Sequence, residues 1–237
     1  MRNYIILNNK NSNQITGLLI STLPPISKPM IRTTIEEIDG RDGDIVTKLG
    51  YSAYDKEFEI GLYGDYNIDE VIEYFDSEGY VTFSNEPEKY YKYQILEQID
   101  FEKLIRFKTA TIRLHVQPFK YSLLDTLKTF TITNQTSINI RNNGNIYSKP
   151  IITITGTGTI NLNLNTEQLF VIDLSNTSSQ ITLDIANMNA YNPANNNYLN
   201  RQVTGDYDNF KLKVGNNTIF WTGTITEITI ENYTRWI

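Results

Sequence analysis

The amino-acid sequence predicts a mainly β protein of two domains. Two observations predict the class: most ordered stretches alternate apolar and polar residues with a period of two, and in the second half turn residues recur at roughly 8–12-residue spacing, as in a β-sandwich. A third predicts the division. Through Lys120 there are 14 Lys/Arg and 19 Asp/Glu, against 7 and 8 afterwards, where Asn and Thr take over with Gly at turns. Such a shift marks a boundary, placed near Pro118 to Leu124, and gives domains 1–120 and 121–237. With 237 residues, 40% of them hydrophobic, the chain has enough apolar material to pack cores of this size.

In chain order, Tyr4-Ile5-Ile6-Leu7 reads as a strand, and Met30–Ile35 as another after the Pro24-Pro25 and Pro29 break. Tyr54, Lys56, Phe58, Ile60 and Leu62 fall on one side of a strand whose other side holds Asp55, Glu57, Glu59 and Gly61. One helix is predicted, capped by Asn67 or Asp69, with Val71, Ile72, Tyr74 and Phe75 on its apolar side and Gly79 after it. Its outer residues Asp69, Glu70, Glu73, Asp76 and Glu78 read as a solvated face, or as a contact for a basic neighbour. Residues 102–117 read as one long strand, with Lys103, Arg106 and Lys108 on its exposed side. Past residue 120, strands are predicted at Thr129–Thr133, Ser137–Arg141, Pro150–Thr155, Thr159–Asn165, Gln168–Asp173, Gln180–Asp184, Phe210–Val214, Asn217–Thr222 and Ile225–Glu231. Asn142-Asn143-Gly144 and Gly215-Asn216-Asn217 supply turn chemistry between them.

The composition excludes several classes. A net charge of −6 with no Lys/Arg run argues against a sequence-specific nucleic-acid surface, which needs cations to replace counterions along phosphates. Cysteine is absent, so disulfides, thiolate zinc sites and cysteine nucleophiles are out. No segment has the roughly 20 apolar residues of a membrane span, and Met1–Leu7 lacks the apolar run of a signal peptide. Asn-x-Ser/Thr matches at Asn134, Asn176, Asn216 and Asn232 carry no weight without a secretion signal.

The motif search yields turns and core positions in place of catalysis. A lone His115 reads as structural. Gly156-Thr157-Gly158-Thr159 lacks a third glycine and precedes an alternating strand, so it reads as a β-turn with no helix end to hold phosphate. Asp39-Gly40-Arg41-Asp42-Gly43-Asp44 lacks the spacing of a calcium loop and reads as a turn joining two strands, with Arg41 paired locally. Glu36-Glu37 point to opposite faces of a strand and cannot share one glycosidic bond. Trp221 and Trp236 are candidates for sugar stacking or for core and interface packing. No catalytic residue, metal site or cofactor is assigned.

Five motifs in order carry a resemblance. Gly40-Arg41-Asp42-Gly43 followed by Gly50-Tyr51-Ser52-Ala53-Tyr54 resembles the N-terminal region of the siphophage distal tail (Dit) family. His115-Val116-Gln117-Pro118-Phe119-Lys120-Tyr121 is similar to the segment closing that family's first domain. Asn143–Ile152, Asp206–Phe210 with Gly215-Asn216-Asn217, and Tyr233-Thr234-Arg235-Trp236 resemble its later motifs. The resemblance implies an N-terminal ring-forming β-sandwich or split-barrel domain with one helix, and a C-terminal galectin-like β-sandwich. It implies a non-enzymatic hub at the virion tail tip, assembled in the host cytoplasm as a homo-oligomer of six copies. Its expected partners are the tail-tube protein and a tail-associated fibre, lysin or receptor-binding protein, with DNA passing through the ring. Pro24–Met30 is then expected to be a stiff arm reaching a neighbour, and the acidic first half to line the channel. The competing expectation is a carbohydrate-binding module or adhesin for cell-wall polysaccharide; a third is a cell-wall hydrolase.

Overall fold

A computed structural model describes residues 2–125, 128–175 and 179–237; the Asn176 match lies outside the described residues. The chain divides into two compact units, Met1–Lys120 with Ile237, and Tyr121–Trp236. Each has its own hydrophobic core.

The first unit contains β1 (Ile5–Leu7), β2 (Lys10–Asn11), β3 (Leu18–Ile20), β4 (Ile31–Glu37), β5 (Asp44–Tyr51), β6 (Tyr54–Leu62), α1 (Ile68–Phe75), β7 (Gly79–Phe83), β8 (Lys89–Gln94), α2 (Phe101–Phe107) and β9 (Thr109–Ser122). Its main sheet runs β2-β1-β7-β8-β9-β6-β3. The alternation in β6 does what the period predicts: Lys56, Phe58, Ile60 and Leu62 are buried while Asp55, Glu57 and Glu59 are exposed. β9 supplies Ile112, Leu114 and Val116 to the same core. Each such fully buried side chain contributes about 1.5–3 kcal/mol relative to exposure. Helix α1 starts where Asn67 accepts a hydrogen bond from the Asp69 amide, and buries Val71, Tyr74 and Phe75.

A second helix replaces the start of the predicted long strand. Asp100 accepts from the Lys103 amide at 2.9 Å and caps α2, and Lys108, in the left-handed region at φ 62°, ends it. Leu104 is the one fully inward residue of this seven-residue helix. Lys103 and Arg106 therefore belong to a helix surface, and the one-helix expectation is corrected to two.

β4 and β5 stand apart from both cores. They pair only with each other, from Ile31↔Tyr51 to Glu37↔Asp44, with a bulge between Arg32 and Thr33. The Asp39–Asp44 turn joins them, and Gly40 and Gly43 occupy positive φ.

The second unit contains β10 (Lys128–Thr131), β11 (Ser137–Asn142), β12 (Ile151–Leu164), β13 (Glu167–Asp173), β14 (Gln180–Asp184), β15 (Asn189–Tyr191), β16 (Val203–Gly205), β17 (Gly215–Glu231) and β18 (Arg235–Trp236). Two pairs of predicted strands are in fact single long ones. β12 runs through Gly156-Thr157-Gly158, which is an irregularity within the strand and not a β-turn. β17 runs through Gly223 beside it, where a Cβ would collide with the Thr159 carbonyl; a Cβ at Gly156 would collide with that of Thr224. The two strands bend together at these glycines. Before the bend β12 pairs with β14, after it with β13; β17 likewise pairs with β11 before it and β10 after it. Curling lets Ile152, Ile154, Ile228 and Ile230 share one core with Ile160, Leu162 and Trp221. Phe210–Val214 is no strand; Leu212 only bridges Ser148. Gly215-Asn216-Asn217 opens β17, with the Asn217 side chain closing the loop back to Lys213.

Candidate functional site

Among the described residues no side-chain cluster has the geometry of a catalytic centre. Among the described residues no three His, Cys, Asp or Glu side chains gather to hold a metal ion. His115 Nδ1 lies 2.8 Å from Asp55, its opposite number across β6 and β9, beside Arg113 bridging Glu57 and Glu97. This is a surface row of ion pairs in which each carboxylate is held by a facing His or Arg. A groove of about 660 Å³ between α1 and α2 is lined by Ile72, Phe75, Leu96 and Phe101 with Asp76 and Glu78 at its edge, a mixed surface without convergent donors.

The most unusual surface is the β4–β5 hairpin. Alternation puts Ile31, Thr33 and Ile35 on one face with their partners Tyr51, Lys48 and Val46. Ile35 and Val46 face each other yet remain 59% and 56% exposed, and Met30, Ile38 and Leu49 are exposed too. A two-stranded hairpin is marginal in water and apolar faces are normally covered, so this one has the character of a contact element. Arg41 at its tip has no ion-pair partner among the described residues, which corrects the local pairing expected for it.

The segment expected to be a stiff arm, Pro24–Met30, is anchored at its start. Lys56 Nζ donates to the Pro25 carbonyl at 2.9 Å, and Asn85 Nδ2 to that of Pro24 at 3.0 Å. Lys56 is buried among the rings of Tyr54, Phe83 and Tyr91. Burial, opposed by Glu86 and helped by Lys120, draws its ammonium down from 10.5 to about 8. Next to it, Glu86 accepts from Lys120 at 2.8 Å and from Tyr91 at 2.9 Å. Burial pushes the Glu86 carboxyl up, but these hydrogen bonds and the charges of Lys120 and Lys89 together hold it below its usual value. The period-two pattern already put Lys56 on the inward face of β6; which carbonyl it would reach was not legible.

In the second unit the motifs from Asn143 to Trp236 converge. The Gly144 amide donates to Asn142 Oδ1 and the Asn145 amide to the Arg235 carbonyl. A Cβ on Gly144 would collide with that same carbonyl. Buried Arg235 donates from Nε to Tyr147 O at 2.9 Å, its guanidinium 4.7 Å from the Tyr147 ring. Asp206 accepts from the amides of Asp208 and Asn209, and Lys149 reaches Asp208 at 3.2 Å. These residues hold loops together; none presents a free donor set to a ligand. Trp221 is 3% exposed within the core, so the sugar-stacking candidate is corrected to a core residue. Trp236 is half-buried on β18.

These features define a mainly β, two-unit chain with an uncovered hairpin. No family model matches the sequence, and no curated protein matches it. Among solved structures it shares its fold with the SPP1 Dit protein, described as a paradigm of the hub adsorption apparatus in phages infecting Gram-positive bacteria: TM-score 0.64 at 17% identity, over 100% of both chains. It is also similar to a chain of the phage P2 baseplate in its activated conformation, with TM-score 0.52 and 9% identity over 100% of this chain and 98% of that one.

Proposed function

We propose that this chain is a non-enzymatic structural subunit of a phage tail tip, a distal tail hub protein. In this reading six copies close into a ring that joins the tail tube to a fibre, lysin or receptor-binding protein at the virion's end, after assembly in the host cytoplasm. The observation that carries the reading is the fold likeness to SPP1 Dit, which covers 100% of this chain and 100% of that one. The resemblance carried by the motifs spanning residues 39–236 points the same way. The uncovered hairpin supports self-association, since a ring subunit must offer patches that a monomer has no use for. Domains 1–120 and 121–237 then act as the ring-forming and galectin-like domains, and the acidic excess of the first half repels the DNA that slides past it.

Native mass spectrometry of the purified chain tests the reading. Assemblies of six subunits, or of two such rings, are expected. A chain that stays monomeric at micromolar concentration, alone and with a tail-tube protein, would overturn it. The glycan-binding alternative loses its Trp221 candidate to the core, and binding to purified wall polysaccharide would be needed to restore it.

A further inference from the structure

We propose that the groove between α1 and α2 is a docking site for a segment of another protein that carries an arginine or lysine between aliphatic residues. The inference goes beyond the hub reading and does not depend on ring closure. At about 660 Å³ the groove falls in the size range of recognition pockets, roughly 300–1,000 Å³. Its apolar lining comes from Ile72 and Phe75 of α1, from Ile95, Leu96 and Ile99 after β8, and from Phe101 of α2. Leu96 is 67% exposed and Ile72 37%, so aliphatic surface is left to water here.

Among the described residues every charged side chain that lines the groove is a carboxylate: Asp76, Glu78 and Glu97. Arg113 binds Glu97. Glu78 accepts from the neutral amide of Gln94 at 2.9 Å, and neither it nor Asp76 has an ion-pair partner among the described residues. Helix α1 adds to this field. It ends at Phe75 with no basic residue in its last turn, so the negative end of its dipole lies at the same rim. Of the other cations on these elements, Lys103 and Arg106 share α2 with Glu102 and its cap Asp100, and Lys92 lies on β8 two residues before Gln94. None of the three lines the groove.

An apolar trough edged by uncompensated negative charge selects its occupant. Aliphatic side chains laid against Ile72 and Leu96 supply the burial, and a guanidinium or ammonium between them meets Asp76 and Glu78. The chain itself carries a net charge of −6, so such a segment fits better from another protein than from a second copy.

The test presents the fluorescently labelled full chain to an array of pentapeptides with Arg or Lys at the centre and Ile, Leu or Val on either side. Matching arrays carry Gln or Glu at the centre. The basic members should be retained. The strongest of them, titrated in solution, should bind roughly tenfold more tightly than its Gln counterpart, and more weakly as salt rises. Asp76→Lys with Glu78→Lys, both at exposed positions, should abolish that binding, and Leu96→Ser should weaken it with the charges intact. Equal retention of the Gln peptides, retention of no peptide, or undiminished binding by the charge-reversed chain would overturn the proposal. A changed subunit count for that variant in native mass spectra would also overturn it, by making a second copy the occupant. The subunit count of the unmodified chain tests the hub reading separately.

Discussion

At the scale of single residues, buried polar groups in this chain serve as fasteners. Lys56 lies at an inward position of β6, where an apolar residue would ordinarily sit, and its ammonium pins the backbone entering the hairpin. Its proton is released near pH 8 when folded but near 10.5 in the unfolded chain. Below pH 8 both states hold the proton and the burial penalty is carried in full. Between about 8 and 10.5 the unfolded chain binds more protons, so this group favours folding increasingly as pH rises. Lys56→Met should remove that slope, at most about 1.4 kcal/mol per pH unit. Urea titrations of both proteins at pH 7.5 and 9.5 measure it, and parallel curves would refute the assignment. Glu86 has the same sign in a lower pH range: its lowered carboxyl contributes stability that is lost as pH falls through the acid range, and Glu86→Gln should flatten that limb. Gly144→Ala should destabilise the second unit by about 2 kcal/mol or more, because the new Cβ meets the Arg235 carbonyl. Thermal melts of the single variant check this.

At the scale of elements, what was legible depended on how many local signals agreed. For α1 the cap, the apolar spacing and the closing glycine all pointed to a helix, and it spans Ile68–Phe75. For α2 they did not. Phe101, Leu104, Ile105 and Phe107 suit either a short helix or an alternating strand, and only Leu104 is fully buried. The Asp100 cap settles the matter in the folded chain, so Asp100→Ala should cost about 1 kcal/mol, read from urea midpoints. The joined strands β12 and β17 were misread for a related reason. Gly156, Gly158 and Gly223 are turn residues locally, but hydrogen bonds to neighbouring strands carry the chain on through a bend. The hairpin invites the reverse experiment. An Ile35→Asn, Val46→Asn chain should keep its urea midpoint, as both side chains are already solvated, yet lose self-association in native mass spectra.

At the scale of the whole molecule, each unit has its own core, built among the described residues from that unit's side chains. A fragment of residues 1–122, which keeps all of β9, should therefore melt cooperatively by circular dichroism. A fragment with no transition would mean that its core is incomplete. The sequence by itself determined the β class, the inward faces of strands such as β6, the α1 helix and the turn at the hairpin tip. Those properties follow from local periodicity and from the φ that glycine and asparagine tolerate, so they are written within a few residues of where they act. Only the tertiary structure decided that Trp221 is core, that Lys56 grips Pro25, that motifs from Asn143 to Trp236 meet, and that the hairpin stays uncovered. Each of those depends on which distant strands become neighbours, and pairing partners are chosen by burial summed over the whole unit. No single stretch of residues carries that sum.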